Sequence, residues 1–104
     1  MRRLPPALAA SATPRILELL GEGPGRVLEL GFGGIHAPVL ELAGWDVVVV
    51  SGDWQARERS EHVSVEPPVG RFDAVVAPAW ADLSGIDAAR IVLVDERGVA
   101  SMSG

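Results

Sequence analysis

Four short, almost wholly apolar runs punctuate the chain, at residues 27–30, 47–50, 74–77 and 91–94. Each is rich in Val, Leu, Ile or Ala and flanked by Gly, Pro, Asp or Arg. Continuous apolar runs of strand length predict strands buried on both faces, as in a parallel sheet. A fifth run, Val63-Ser64-Val65, alternates apolar and polar and is stopped by Pro67-Pro68, which suits a strand at a sheet edge.

The spacers agree with parallel pairing. Residues 31–46, 51–62 and 78–90 give crossovers of 16, 12 and 13 residues, long enough to bring the chain back over the sheet with a helix in each. Pro38 fits the first turn of a helix carrying Val39, Leu40 and Leu42, with Gly44 as its stop. Ahead of the first strand, Thr13 reads as an N-cap and Pro14 as the first helical residue. Ile16, Leu17, Leu19 and Leu20 form the apolar stripe, and Gly21 ends it. The predicted order is helix, β, α, β, α, β, β, α, β.

Eight residues, 66–73, join the third strand to the fourth, too few for a packed helix. With the strands ordered 3-2-1-4-5, this link must span a diagonal of about 21 Å. Eight extended residues reach at most about 26 Å. One sheet face is then expected to lack a covering helix. After the last strand, Asp95-Glu96-Arg97-Gly98 reads as a turn from which Val99 to Met102 can return antiparallel, with a frayed end from Ser101 onward.

Composition narrows the chemistry. The chain has 104 residues, the length of one domain over 1–104, and no cysteine, which removes disulfides, thiol nucleophiles and cysteine-based zinc sites. Nine basic residues, all arginine, against fourteen acidic ones leave a net charge of −5, which disfavours nucleic acid as a partner. No apolar run approaches the ~20 residues of a membrane span. Met1-Arg2-Arg3 and Ala10-Ser11-Ala12 imitate a signal peptide, but Pro5-Pro6 interrupt the short apolar stretch between them, and a cytoplasmic protein is expected. Without lysine there is no P-loop, and two histidines 26 positions apart, His36 and His62, make no metal site.

The densest chemical signal is Glu29-Leu30-Gly31-Phe32-Gly33-Gly34-Ile35, a strand that ends in a carboxylate and runs into glycines opening a helix. Glycines there permit positive φ and close approach of a ligand to the backbone. This segment resembles the first motif of the class I S-adenosylmethionine-dependent methyltransferases, acid-x-Gly-x-Gly-x-Gly. Ile35 stands where the third glycine is usual, and Gly34 comes one place early. Phe72-Asp73-Ala74-Val75-Val76 is similar to that family's entry to its fourth strand. A dinucleotide fingerprint fits less well, because His36 replaces its last glycine.

The resemblance implies a minimal Rossmann-like three-layer α/β sandwich with a mainly parallel five-stranded sheet. It implies S-adenosylmethionine as cofactor, with Glu29, Gly31, Phe32, Gly33 and Gly34 forming the cradle. Asp53 would then hold the ribose and Trp54 cover the adenine, with Glu66 near the adenine amino group. The residues leave other roles open. Asp53 can cap the next helix, Trp54 lid the core, Glu66 sit in a solvated loop, and Glu29 brace the glycine turn. His36 reads as a loop histidine able to serve as a base. Ala77-Pro78-Ala79-Trp80 lacks the polar residue of amino-directed nucleic-acid methyltransferases, and Trp45 and Trp80 read as packing residues. Two functions follow as expectations. One is a small methyltransferase-like protein that binds S-adenosylmethionine or S-adenosylhomocysteine and acts on a small-molecule or protein acceptor. The other is a non-catalytic module forming a homodimer through the uncovered sheet face.

Overall fold

Valine, leucine and isoleucine at both parities of a strand need cover above and below it, and a central place in a sheet provides most of that cover. The computed structural model describes residues 5–52, 56, 58–60, 62–66 and 68–103, and builds one six-stranded sheet. Its strands are β1 (Gly25–Leu30), β2 (Trp45–Val50), β3 (Val63–Ser64), β4 (Arg71–Pro78), β5 (Asp87–Asp95) and β6 (Gly98–Ser103). Their order is β3-β2-β1-β4-β5-β6, with all neighbours parallel except the antiparallel β5–β6 pair. The antiparallel return expected of Val99 to Met102 is present as β6, which adds a sixth strand to the five expected in the order 3-2-1-4-5. Ser101, Met102 and Ser103, expected to fray, pair instead with Val92, Ile91 and Arg90, and Gly104 lies outside the described residues.

Among the described residues three helices accompany the sheet: α1 (Pro6–Ser11), α2 (Thr13–Leu20) and α3 (Ala37–Leu42). Pro38 lies in the first turn of α3, and Gly44 follows its end with φ +97°, so the sequence signals there match the backbone. Thr13 does not cap α2. Ala12 holds that position in a helical conformation, nearly fusing α1 to α2, and the Thr13 hydroxyl turns inward instead.

Val27, Val47, Val49, Ala74, Val76, Val92 and Val94 pack against Ile16 and Leu20 of α2 and Leu40 of α3. The opposite face presents Leu28, Leu30, Val75 and Ala77, with Val48, Val50, Ile91 and Leu93 half-buried around them. Among the described residues no helix lies on that face. It is covered in part by Ala81, Leu83 and Ile86 from the β4–β5 connection.

The face expected to lack a helix is observed without one among the described residues, and the three-layer expectation is corrected to helices on one face because the β4–β5 connection carries none either. β4 runs on to Pro78 and β5 begins at Asp87, so the connection shrinks to residues 79–86. Asp82 Oδ1 accepts from the Ser84 N–H at 3.0 Å, making a turn where a helix was expected. Between β2 and β3 the described residues Ala56 and Glu58 have 3₁₀ geometry.

The Phe72-Asp73 pair has a structural task at the other end of the sheet. Asp73 Oδ2 accepts from the Arg26 N–H at 2.7 Å, and the Arg26 guanidinium lies 4.3 Å from the centre of the buried Phe72 ring. These contacts tie the start of β1 to the start of β4.

Candidate glycine-turn site

The sheet changes direction of growth at β1. From it the chain builds β2 and β3 on one side and β4 to β6 on the other, so the carboxyl ends of β1 and β4 flank the point of reversal. In open α/β sheets such reversal points are where ligands bind. Residues 31–34 lie there, as the exit from β1. Gly31, Gly33 and Gly34 all have positive φ, at +76°, +60° and +85°.

At Gly31 two constraints coincide. Its backbone is left-handed, and a Cβ added there would stand 2.8 Å from Cγ and Cδ of Pro78 at the end of β4. Gly31 is exposed, so its backbone is open to an approaching group. Gly33 also needs its φ, but a Cβ there would meet just the guanidinium end of Arg59, at 3.3 Å.

Glu29 ends the apolar face of β1 at 0% exposure. Its Oε1 accepts the backbone N–H of His36 at 2.9 Å, and Oε2 is buried with no hydrogen-bond partner among the described residues. Burial pushes its pKa up to about 7, opposed by the His36 N–H bond and then by the positive charge of Arg59, while Glu41 adds a smaller upward push. The carboxylate is thus a brace across the turn, closed to solvent.

His36 is not a solvated loop residue. It too is 0% exposed, 2.7 Å through Nδ1 from the Thr13 hydroxyl and edge-on to Phe32 at 4.7 Å. Its Nε2 has no partner among the described residues, and burial lowers its pKa to about 4. At neutral pH it is an uncharged core residue, unsuited to act as a base toward a bound ligand. Phe32, at 5% exposure, likewise joins the core, so any contribution it makes to a ligand comes from its backbone.

Arg59 is the residue that sequence reasoning missed. Its Nη1 donates to the Gly33 carbonyl at 2.8 Å, and its Cβ would lie 3.3 Å from a Cβ placed on Gly34. An arginine 26 positions downstream of the turn carries no local signal. Buried Ala56, which packs in the core, and Ser60, which donates to Glu41 Oε1 of α3 at 3.0 Å, hold the same segment against the helix layer.

Of the other expected site residues, Asp53 and Trp54 lie outside the described residues. Glu66 is exposed and lines a cleft of about 660 Å³ with Pro68, Gly70, Arg71, Ser84 and Asp87, at the amino ends of β4 and β5. That cleft is at the opposite end of those strands from the glycine turn. Trp45 donates through Nε1 to the Gly21 carbonyl at 2.9 Å, and it and Trp80 pack against the main core. Among the described residues no group of three His, Asp or Glu side chains is placed to hold a metal, and no helix is long and apolar enough to cross a membrane. Comparison with protein-family models, curated proteins and solved structures finds no match to this chain.

Proposed function

We propose that this chain binds S-adenosylmethionine or S-adenosylhomocysteine at the glycine turn, in a minimal Rossmann-like, methyltransferase-like arrangement. One observation carries the reading: three positive-φ glycines lie at the carboxyl end of the central strand, where strand order reverses. The residues fit such a ligand in that exposed Gly31 leaves its backbone approachable, with the wall of Pro78 behind it. The backbone at Gly31, Phe32, Gly33 and Gly34 would hold the ligand, with Asp53 and Trp54 supplied by the segment after β2.

When bound, S-adenosylmethionine supplies an electrophilic methyl group. The protein's own part is positioning, since a displacement of this kind gains most from holding the reacting groups in line. Glu29 serves that positioning through His36 and the turn it braces, and Arg59 fixes the Gly33 carbonyl from outside. The expected result is a melting-temperature rise that grows logarithmically with S-adenosylhomocysteine concentration and is absent with NAD. No rise with either compound would remove the reading.

A second reading, a non-catalytic module that self-associates, draws on the sheet face that no described helix covers, where Val48, Val50, Ile91 and Leu93 are half-buried. A contiguous apolar surface of this kind favours association between copies. Light scattering that returns the monomer mass at all concentrations would exclude it.

A further inference from the structure

The two edges of the sheet are built differently. β3 is two residues long and is followed by Glu66 and Pro68, so it offers almost no ladder to another strand. β6, at the other edge, is six residues long, and from Gly98 to Ser103 it carries neither charge nor proline. Charged residues, prolines, bulges and short length are the usual protections of an edge strand. β6 has none of them, although the chain as a whole carries 23 Asp, Glu and Arg residues.

The β5–β6 register fixes which groups face outward. Pairing alternates between bonded and non-bonded residues, and Asp95 and Gly98 close the two-residue turn as a bonded pair. Gly98, Ala100 and Met102 therefore turn their N–H and C=O groups toward β5. Val99, Ser101 and Ser103 turn theirs away from the sheet. Among the described residues no strand pairs with that outer side.

We infer that β6 is the self-association edge of this protein, pairing antiparallel with β6 of a second copy to make one continuous sheet. This deepens the self-association reading above and requires it to hold, but it moves the contact from the open face to the edge. A twofold axis through Ser101 places Ser101 opposite its counterpart and Val99 of one copy opposite Ser103 of the other, so the outward groups find partners. In the same register Met102, 47% exposed, stands beside Ala100 of the second copy. Ala100 and Met102 pair with Leu93 and Ile91, so the half-covered apolar face continues across the axis. The junction holds no charge, so two chains of net charge −5 meet on neutral strands. A six-residue edge is a small contact, and the dimer is expected to be reversible and concentration-dependent.

The test is analytical ultracentrifugation of the full chain across about two decades of concentration, with hydrogen exchange measured at both ends of the range. The wild type is expected to pass from monomer to dimer while exchange slows at the amides of Val99, Ser101 and Ser103. Ser101→Pro removes an outward donor without touching a bond to β5, and it is expected to abolish the dimer with little change in melting temperature. Met102→Glu, a change at an exposed site, is expected to weaken the dimer through like charges near the axis. A dimer that survives Ser101→Pro, or forms without protecting the three outward amides, overturns the edge pairing while leaving self-association standing. A monomer throughout overturns both. If Ser101→Pro fails to fold, the exchange pattern of the wild type decides alone.

Discussion

The backbone N–H of His36 reaches back across the glycine turn to Glu29 Oε1 at 2.9 Å, joining the end of β1 to the residue that caps α3. Both side chains are fully buried, and each keeps one polar atom unpartnered among the described residues. Two titratable groups at the two ends of the turn are thus both buried and displaced in opposite directions, Glu29 up to about 7 and His36 down to about 4.

Their effects on stability should oppose each other. Glu29 binds its proton more tightly folded than unfolded, so its contribution is complete below its unfolded pKa of 4.5 and is lost as pH rises through about 7. His36 binds its proton less tightly folded, so its contribution is complete above its unfolded pKa of 6.5 and is lost as pH falls toward about 4. Between about pH 4.5 and 6.5 the two slopes largely cancel. Glu29→Gln exposes the His36 slope, and its stability should fall relative to wild type on acidification from pH 7 to 5. His36→Gln exposes the Glu29 slope, and its stability should rise over the same interval. Each excursion is on the order of 2 kcal/mol, read from urea midpoints at successive pH values. Parallel profiles for wild type and both variants would contradict the arrangement.

Arg59 should be felt at Glu29. Its positive charge favours the ionised carboxylate, so Arg59→Ala is expected to raise the Glu29 pKa above about 7, visible as an upfield-to-downfield carboxyl shift moved to higher pH. The loss of its bond to the Gly33 carbonyl lies at an exposed position and should cost less than about 1 kcal/mol. An unchanged Glu29 titration would place Arg59 away from the turn.

Much of the sheet was legible because its information is local. Buried strands write themselves as Val47 to Val50 or Ile91 to Val94, and Pro38 and Gly44 bracket α3 through their own backbone preferences. What was not legible depends on distant partners. Thr13 has every local property of an N-cap, yet its hydroxyl meets His36, 23 positions away. The helix expected between β4 and β5 vanished because β4 runs on to Pro78 and β5 starts early, at Asp87, through polar residues such as Asp87 and Arg90. The glycine turn was readable as a motif. Its brace from Arg59 and the burial of His36 and Phe32 were not, since periodicity says nothing about side chains that cross between elements.

Thr13→Val keeps the shape of the side chain and removes the group facing His36 Nδ1. With both ring nitrogens then unpartnered, the expected loss is about 1–3 kcal/mol. Differential scanning calorimetry would register it as a lower melting temperature. A neutral effect would mean that His36 finds another partner.

Gly31→Ala should destabilise more than Gly33→Ala. Both force a left-handed backbone on a residue with a Cβ, at about 1–2 kcal/mol. Gly31 alone adds the contact with Pro78 at 2.8 Å, whereas the flexible end of Arg59 can move away from Gly33. Pro78→Ala combined with Gly31→Ala should recover the difference between the two single variants and no more, as measured by denaturant titration. Equal losses at the two glycines would mean that Pro78 is free to shift.

The most direct measurement is isothermal titration calorimetry of S-adenosylhomocysteine into the wild-type chain and into Gly33→Asn. Asparagine tolerates the left-handed backbone at this position while adding a side chain to the turn itself, beside the Arg59 guanidinium. The account predicts a dissociation constant on the order of micromolar for the wild type, or about −8 kcal/mol. It also predicts at least a tenfold loss in Gly33→Asn at an unchanged fold. No binding by the wild type, or equal binding by both, would contradict the glycine turn as the site.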